Sequence, residues 1–138
     1  LELAPEWVNT RLVAGELYQM RGEHEKVVTM IRGVHVPWTG LGAETQLVIA
    51  LVRLGREEEA SELIDLIMES EDAFLQAVVL AALGRTDEAW SKMESIEFWS
   101  DWPTFGVHYG FRNVLDPTGS DPRYASLLEG VKKSWGFD

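Results

Sequence analysis

A short pattern that ends one helix and starts another occurs three times in this chain. In each copy an apolar segment runs into a glycine, and four residues of helix-starting, mostly polar character follow. The turn glycines are Gly22, Gly55 and Gly84, which lie 33 and 29 residues apart. A repeat of this period predicts stacked helical hairpins, each burying its apolar face against its neighbours. We therefore expect an all-α fold, an α-α superhelix of about three hairpins.

Apolar periodicity and turn signals predict the helices in more detail. They are expected at 7–21, 23–34, 43–54, 56–70, 72–83, 86–98, 105–115 and 122–135, with Thr86 as a cap of the sixth. The first should bury a stripe of Trp7, Val8, Leu12, Leu17 and Tyr18. We expect one domain over 1–138: the end of an earlier repeat (1–5), repeats at 6–41, 42–70 and 71–98, and a closing cap at 99–138.

Charge and composition exclude several classes of function. The 138 residues carry a formal charge of -11, so direct binding to nucleic acid or to an anionic membrane is not expected. No cysteine is present, which excludes disulfides and thiol chemistry and is compatible with a cytoplasmic protein. The chain starts at Leu1 rather than Met, which suggests a piece of a larger protein.

The repeat resembles the tetratricopeptide repeat (TPR) family. With Gly22 as the turn glycine, Gly15 and Tyr18 match the small and aromatic positions of the first helix, and Val27 and Ile31 match the Ala and Phe positions of the second. The matching sets in the other copies are Val48, Leu51, Ala60 and Ile64, then Ala77, Leu80, Ala89 and Met93. The position of an early Trp in the family holds Arg11, Glu44 and Ala73 here.

The end of the chain adds a second resemblance. Leu115-Asp116-Pro117 and the segment 121–128 are similar to the closing part of repeat arrays in bacterial multidomain regulators. Those arrays follow a nucleotide-cyclase or winged-helix output domain. The resemblance implies a C-terminal part of a signalling or transcription-regulating protein, without a cyclase or DNA-binding activity of its own.

Residues with catalytic chemistry are few, and no nucleophile–base pair or phosphate loop is found. His24 stands between Glu23 and Glu25, but neighbours on a helix point about 100° apart, so the three do not converge on a metal. A solvated turn histidine is the favoured interpretation for His24. His35 and His108 are interpreted as loop or core-edge residues. We expect no enzyme activity, no cofactor and no metal.

The family resemblance implies a binding surface on the concave face, formed by the first helix of each hairpin. The expected ligand is a peptide, a partner domain or another copy of the chain, which would give a homo-oligomer. By family position the surface consists of Asn9, Leu12, Glu16, Gln19, Met20, Thr45, Ile49, Val52, Arg53, Phe74 and Val78.

An aromatic cluster near the C-terminal cap supports an alternative function. Trp99, Trp102, Phe105, His108 and Tyr109 could pack the closing helices, or they could form a pocket with polar groups at Trp102, His108 and Tyr109. The first interpretation is structural. The second predicts a small-molecule sensor module.

Overall fold

The computed structural model describes residues 5–37, 40–96, 112–115, 119–134 and 136. Within these ranges the chain is all-α, with eight helices and no strand. The predicted aromatic cluster and residues 105–111 of the helix predicted at 105–115 lie outside the described residues. The helices are α1 (Pro5–Met20), α2 (His24–Ile31), α3 (Gly42–Arg53), α4 (Glu57–Glu69), α5 (Ala73–Ala82), α6 (Thr86–Glu94), α7 (Arg112–Leu115) and α8 (Pro122–Ser134).

The chain divides into two compact units, Leu1–Glu71 and Asp72–Asp138. In the first unit α1 packs on α2, α2 on α3 and α3 on α4, and α1 also contacts α3. In the second unit α5 packs on α6 and contacts α7. Consecutive helices therefore form hairpins, as the sequence predicts.

Each predicted turn glycine closes a helix with the same backbone structure. Gly22, Gly55 and Gly84 have φ angles of 74°, 74° and 81°, in the left-handed region that only glycine adopts readily. At the first corner the Gly22 N–H donates to Gln19 O (3.1 Å) and the Glu23 N–H to Tyr18 O (2.9 Å). The same two bonds recur at the other two corners. This is the Schellman motif, which satisfies carbonyls that the helix end leaves unpaired.

The core of each hairpin follows the predicted periodicity closely. Val27 and Ile31 of α2 and Ala60 and Ile67 of α4 are at most 1% exposed. In α5 seven consecutive residues, Phe74 to Leu80, are buried, and all of them except Gln76 are apolar. Asp72 caps this helix, accepting a hydrogen bond from the Leu75 N–H at 3.0 Å.

The helix predicted at 86–98 ends at Glu94, and three further predicted local features are wrong. The first is the end of α2, which stops at Ile31 rather than near Val34 because Gly33 turns the chain with φ 76°. The second is the start of α6, where Arg85 is the N-cap and makes no side-chain capping bond, so Thr86 is the first helical residue. The third is the inner stripe of α1: Leu12 is buried, whereas Trp7 and Leu17 are 63% and 56% exposed.

Arg11 connects α1 to the end of α2. Its Nε donates to Met30 O at 2.7 Å and a terminal nitrogen to Thr29 O at 3.2 Å. These carbonyls belong to the last turn of α2 and have no partner within the helix, so the guanidinium caps them and complements the helix dipole. An arginine thus stands at the position where the TPR pattern has a tryptophan.

Candidate functional site

The structure separates the predicted partner surface into accessible and buried residues. Asn9, Met20 and Arg53 are exposed, and Glu16 and Val52 are partly exposed. The other six are buried and unavailable from solvent: Leu12, Gln19, Thr45, Ile49, Phe74 and Val78. The accessible residues all belong to the first unit, on α1 and α3.

One face of α1 carries an exposed apolar stripe that the sequence analysis did not identify. It consists of Val13, Leu17 and Met20, which are 53%, 56% and 63% exposed. Their spacing of i, i+4 and i+7 places them on one side of the helix. Asn9 and Glu16, two predicted partner residues, lie four residues before Val13 and Met20 and so border the same side. We call Val13, Leu17 and Met20 the α1 stripe.

Two of the three corresponding positions of α3 are covered, whereas Arg53, which corresponds to Met20, is exposed. Counting the 33 residues from Gly22 to Gly55, Val13 and Leu17 correspond to Gln46 and Ala50, which are 2% and 0% exposed. Both preceding helices, α1 and α2, contact α3. Val13 and Leu17 are therefore exposed on α1, whereas the residues at the corresponding positions of α3 are buried.

A polar contact joins α1 to α3 beside the α1 stripe. Gln46 hydrogen-bonds the carboxylate of Glu16. Partial burial raises the pKa of Glu16, and the hydrogen bond from Gln46 lowers it by a smaller amount. The Oε1 atom of Gln46 is buried without a hydrogen-bond partner. The bond shows that α1 and α3 meet through polar as well as apolar groups.

Two histidines have neighbours that sequence spacing does not reveal. Burial, together with the positive charge of Arg53, lowers the pKa of His24, which favours the neutral ring. His35 Nδ1 lies 2.6 Å from Glu44 Oε1. Helical spacing does not reveal this pair because its members belong to a loop and to the start of α3, nine residues apart. Among the described residues no group of three potential ligands could hold a metal.

The second unit contains a pocket of about 370 Å³ between α6 and α8. Trp90 and Met93, which are 5% and 2% exposed, line it together with Leu127. Arg123 lies over the Trp90 ring, 5.2 Å from its centroid. The predicted aromatic pocket at 99–109 is outside the described residues, and the sequence did not predict the pocket between α6 and α8.

Two carboxylates hold the guanidinium of Arg123. Its Nε and one terminal nitrogen donate to Asp121 at 3.2 and 3.0 Å, and the other terminal nitrogen donates to Asp87 at 3.3 Å. The hydrogen bonds from Arg123 lower the pKa of Asp121. Asp121 also accepts from the Arg123 N–H at 2.9 Å, so it fixes the first turn of α8.

Comparisons with protein-family models, with curated proteins and with solved structures give no match. Among the described residues, no helix is both long and apolar enough to cross a membrane.

Proposed function

We propose that this chain is a non-catalytic protein-interaction module that binds an amphipathic helix of a partner on the α1 stripe. The observation that carries the proposal is the open stripe itself. Three apolar side chains on one face of α1 are more than half exposed. Exposed apolar groups in a row, bordered by polar residues such as Asn9 and Glu16, are typical of surfaces that receive a helix.

The repeat indicates which kind of helix fits. Gln46 of α3 is covered because α1 lies against it: Gln46 bonds Glu16, and its Oε1 would be 3.3 Å from a Cβ at Gly15. A helical hairpin that packed on α1 in the way that α1 and α2 pack on α3 would cover Val13 and Leu17. The partner is accordingly a helical hairpin of this type, in keeping with the TPR resemblance and with a place in a larger regulatory protein.

A tandem duplication of residues 9–41 tests this proposal. The duplicated segment has 33 residues, which is the spacing between Gly22 and Gly55. The added hairpin is therefore expected to pack on the downstream copy of α1 in the same register in which α1 and α2 pack on α3. We expect the duplicated chain to be more stable to urea than the parent. Changing Leu17 to Lys in the downstream copy should lower its stability by about 1–3 kcal/mol, because the leucine is then buried.

Two comparisons make the result specific. In the unduplicated parent, where Leu17 is exposed, Leu17→Lys should change stability by less than about 0.5 kcal/mol. The control in the duplicated chain is Leu66→Lys on α4, since Leu66 is 48% exposed and lies outside the α1 stripe. A duplicated chain that gains no stability, or that tolerates Leu17→Lys as well as Leu66→Lys, would contradict the proposal.

A second copy of the chain is the alternative occupant of the α1 stripe, and it must be distinguished from a partner hairpin. Sedimentation velocity over a range of concentrations measures self-association directly. Association that Leu17→Lys abolishes and Leu66→Lys preserves would identify the occupant as another copy, and the module would then act as a homo-oligomer.

A further inference from the structure

The pocket between α6 and α8 is formed by one face of each helix. Trp90, Met93 and Glu94 are spaced at i, i+3 and i+4 on α6, and Leu127 and Gly130 face them from α8. Its volume of about 370 Å³ is at the lower end of the range for small-molecule sites, about 300–1,000 Å³. A molecule with a single ring and a short chain has this size.

Gly130 keeps the pocket open. It lies inside α8, where glycine is less stable than alanine by about 1 kcal/mol. No atom lies within 4 Å of the place that a Cβ would occupy, so close packing does not require a glycine there. The lack of a side chain instead leaves space on the side that lines the pocket.

The charged groups lie toward opposite ends of α6. Arg123 is bonded to Asp87 in the first turn of α6, and it is also held by Asp121 and stacked on Trp90. Glu94 is seven residues after Asp87, or about 10 Å along the helix. It is exposed and makes no hydrogen bond or ion pair with any described residue. Among the described residues that line the pocket, the charged group without an ion-pair partner is therefore the Glu94 carboxylate, whereas the charge of Arg123 is neutralised by Asp87 and Asp121.

We propose that this pocket binds a small amine, with an apolar ring or branched alkyl group against Trp90 and Met93 and an ammonium group at Glu94. Glu94 is the carboxylate that lines the pocket, and the charge of Arg123, which also lines it, is balanced by Asp87 and Asp121. The chain as a whole has a charge of -11, so its field attracts cations and repels anions. Ser126, which also lines the pocket, offers a hydroxyl oxygen as a second acceptor. This site is independent of the α1 stripe and of the function proposed for it.

Three probes with the same ring and different head groups test the proposal: 2-phenylethylamine, 2-phenylethanol and 3-phenylpropionate. Each is titrated into the isotope-labelled chain to about 10 mM, while NMR follows the Trp90 indole N–H and the Gly130 amide. We expect saturable shifts with the amine, binding of the alcohol that is about two- to fivefold weaker, and no saturation with the carboxylate. Equal binding of all three probes, or no saturable shift with the amine, would overturn the proposal.

Four variants locate the site. Gly130→Leu should abolish amine binding by filling the pocket, whereas Gly130→Ala, which adds only a methyl group, should retain it. Glu94→Gln should weaken the amine about two- to fivefold and leave the alcohol unchanged. Glu129→Gln, an exposed carboxylate on α8 that pairs with Lys132, is the charge-matched control and should bind as the parent does. Unchanged amine binding in both Gly130→Leu and Glu94→Gln would sink the inference.

Discussion

Glu16 shows how a single residue can join a binding surface to the stability of the fold. Its carboxylate borders the α1 stripe and accepts a hydrogen bond from Gln46 on α3. Partial burial raises its pKa above the ordinary value of 4.5. Because the folded state then binds the proton more tightly than the unfolded chain, ionised Glu16 opposes folding at neutral pH. The penalty appears as pH rises through the raised pKa, and it is absent below about 4.5.

Glu16→Gln should therefore stabilise the chain at pH 7, and the gain should shrink as the pH falls toward 4. The glutamine side chain still accepts the hydrogen bond from Gln46 and carries no charge to desolvate. Urea unfolding of parent and variant at a series of pH values measures the difference. A gain that is constant with pH, or that grows on acidification, would contradict this account.

A matched control separates charge from burial. Glu62→Gln, on the exposed side of α4, removes the same charge from a solvated position. Its effect should stay within about 0.5 kcal/mol at every pH. If Glu62→Gln reproduced the pH dependence of Glu16→Gln, the effect would arise from net charge and not from the local environment of Glu16.

At the scale of elements, the contact between α1 and α2 depends on a glycine inside a helix. A Cβ at Gly15 would lie 2.6 Å from Ile31 Cγ1, closer than real Cβ atoms approach a neighbour. Ile31 is 1% exposed and has little room to move. The missing side chain thus lets α1 approach α2 closely, and the family resemblance assigns a small residue to this position.

Gly15→Ala should destabilise the chain by about 1 kcal/mol, because overpacking of about 1–3 kcal/mol exceeds a helix-propensity gain of about 1 kcal/mol. Gly130→Ala is the matched control, because Gly130 also lies within a helix but no atom lies within 4 Å of the place that an added Cβ would occupy. It should stabilise the chain by about 1 kcal/mol. Urea unfolding measures both changes. Equal effects of the two substitutions would contradict the close approach of α1 and α2.

For the molecule as a whole, charge is the dominant electrostatic feature. The formal charge of -11 opposes folding through repulsion among the carboxylates. Ion pairs such as Arg32–Glu59, at 3.5 Å and about half exposed, contribute little to stability because solvent screens them. Repulsion summed over the surface should therefore outweigh the local attractions.

Added salt should stabilise the protein. Raising NaCl from about 10 to 150 mM shortens the Debye length from about 30 to 8 Å, which screens long-range repulsion more than close contacts. We expect the melting temperature to rise by about 3 °C, or about 1 kcal/mol for a chain of this size. Potassium chloride should act equally, since screening depends on ionic strength. A melting temperature that falls with either salt would show that local ion pairs dominate.

Much of the fold was predictable because its signals are local. A left-handed glycine, an apolar period of 3.6 residues and a capping aspartate act within one or two turns of chain, so the corners at Gly22, Gly55 and Gly84 follow from sequence. The site was less predictable. Family position indicated the region around Glu16 and Met20, but it also named Gln19 and Ile49, which are buried, and it missed Val13 and the α6–α8 pocket.

The sequence by itself determined the all-α class, the hairpin corners and the continuous burial of α5, because backbone geometry and apolar periodicity are written in neighbouring residues. Only the tertiary structure decided which side of α1 meets solvent, that Arg11 caps α2 and that His35 meets Glu44. These features join residues separated by a turn, a loop or a helix. Their distances depend on how the helices pack against one another.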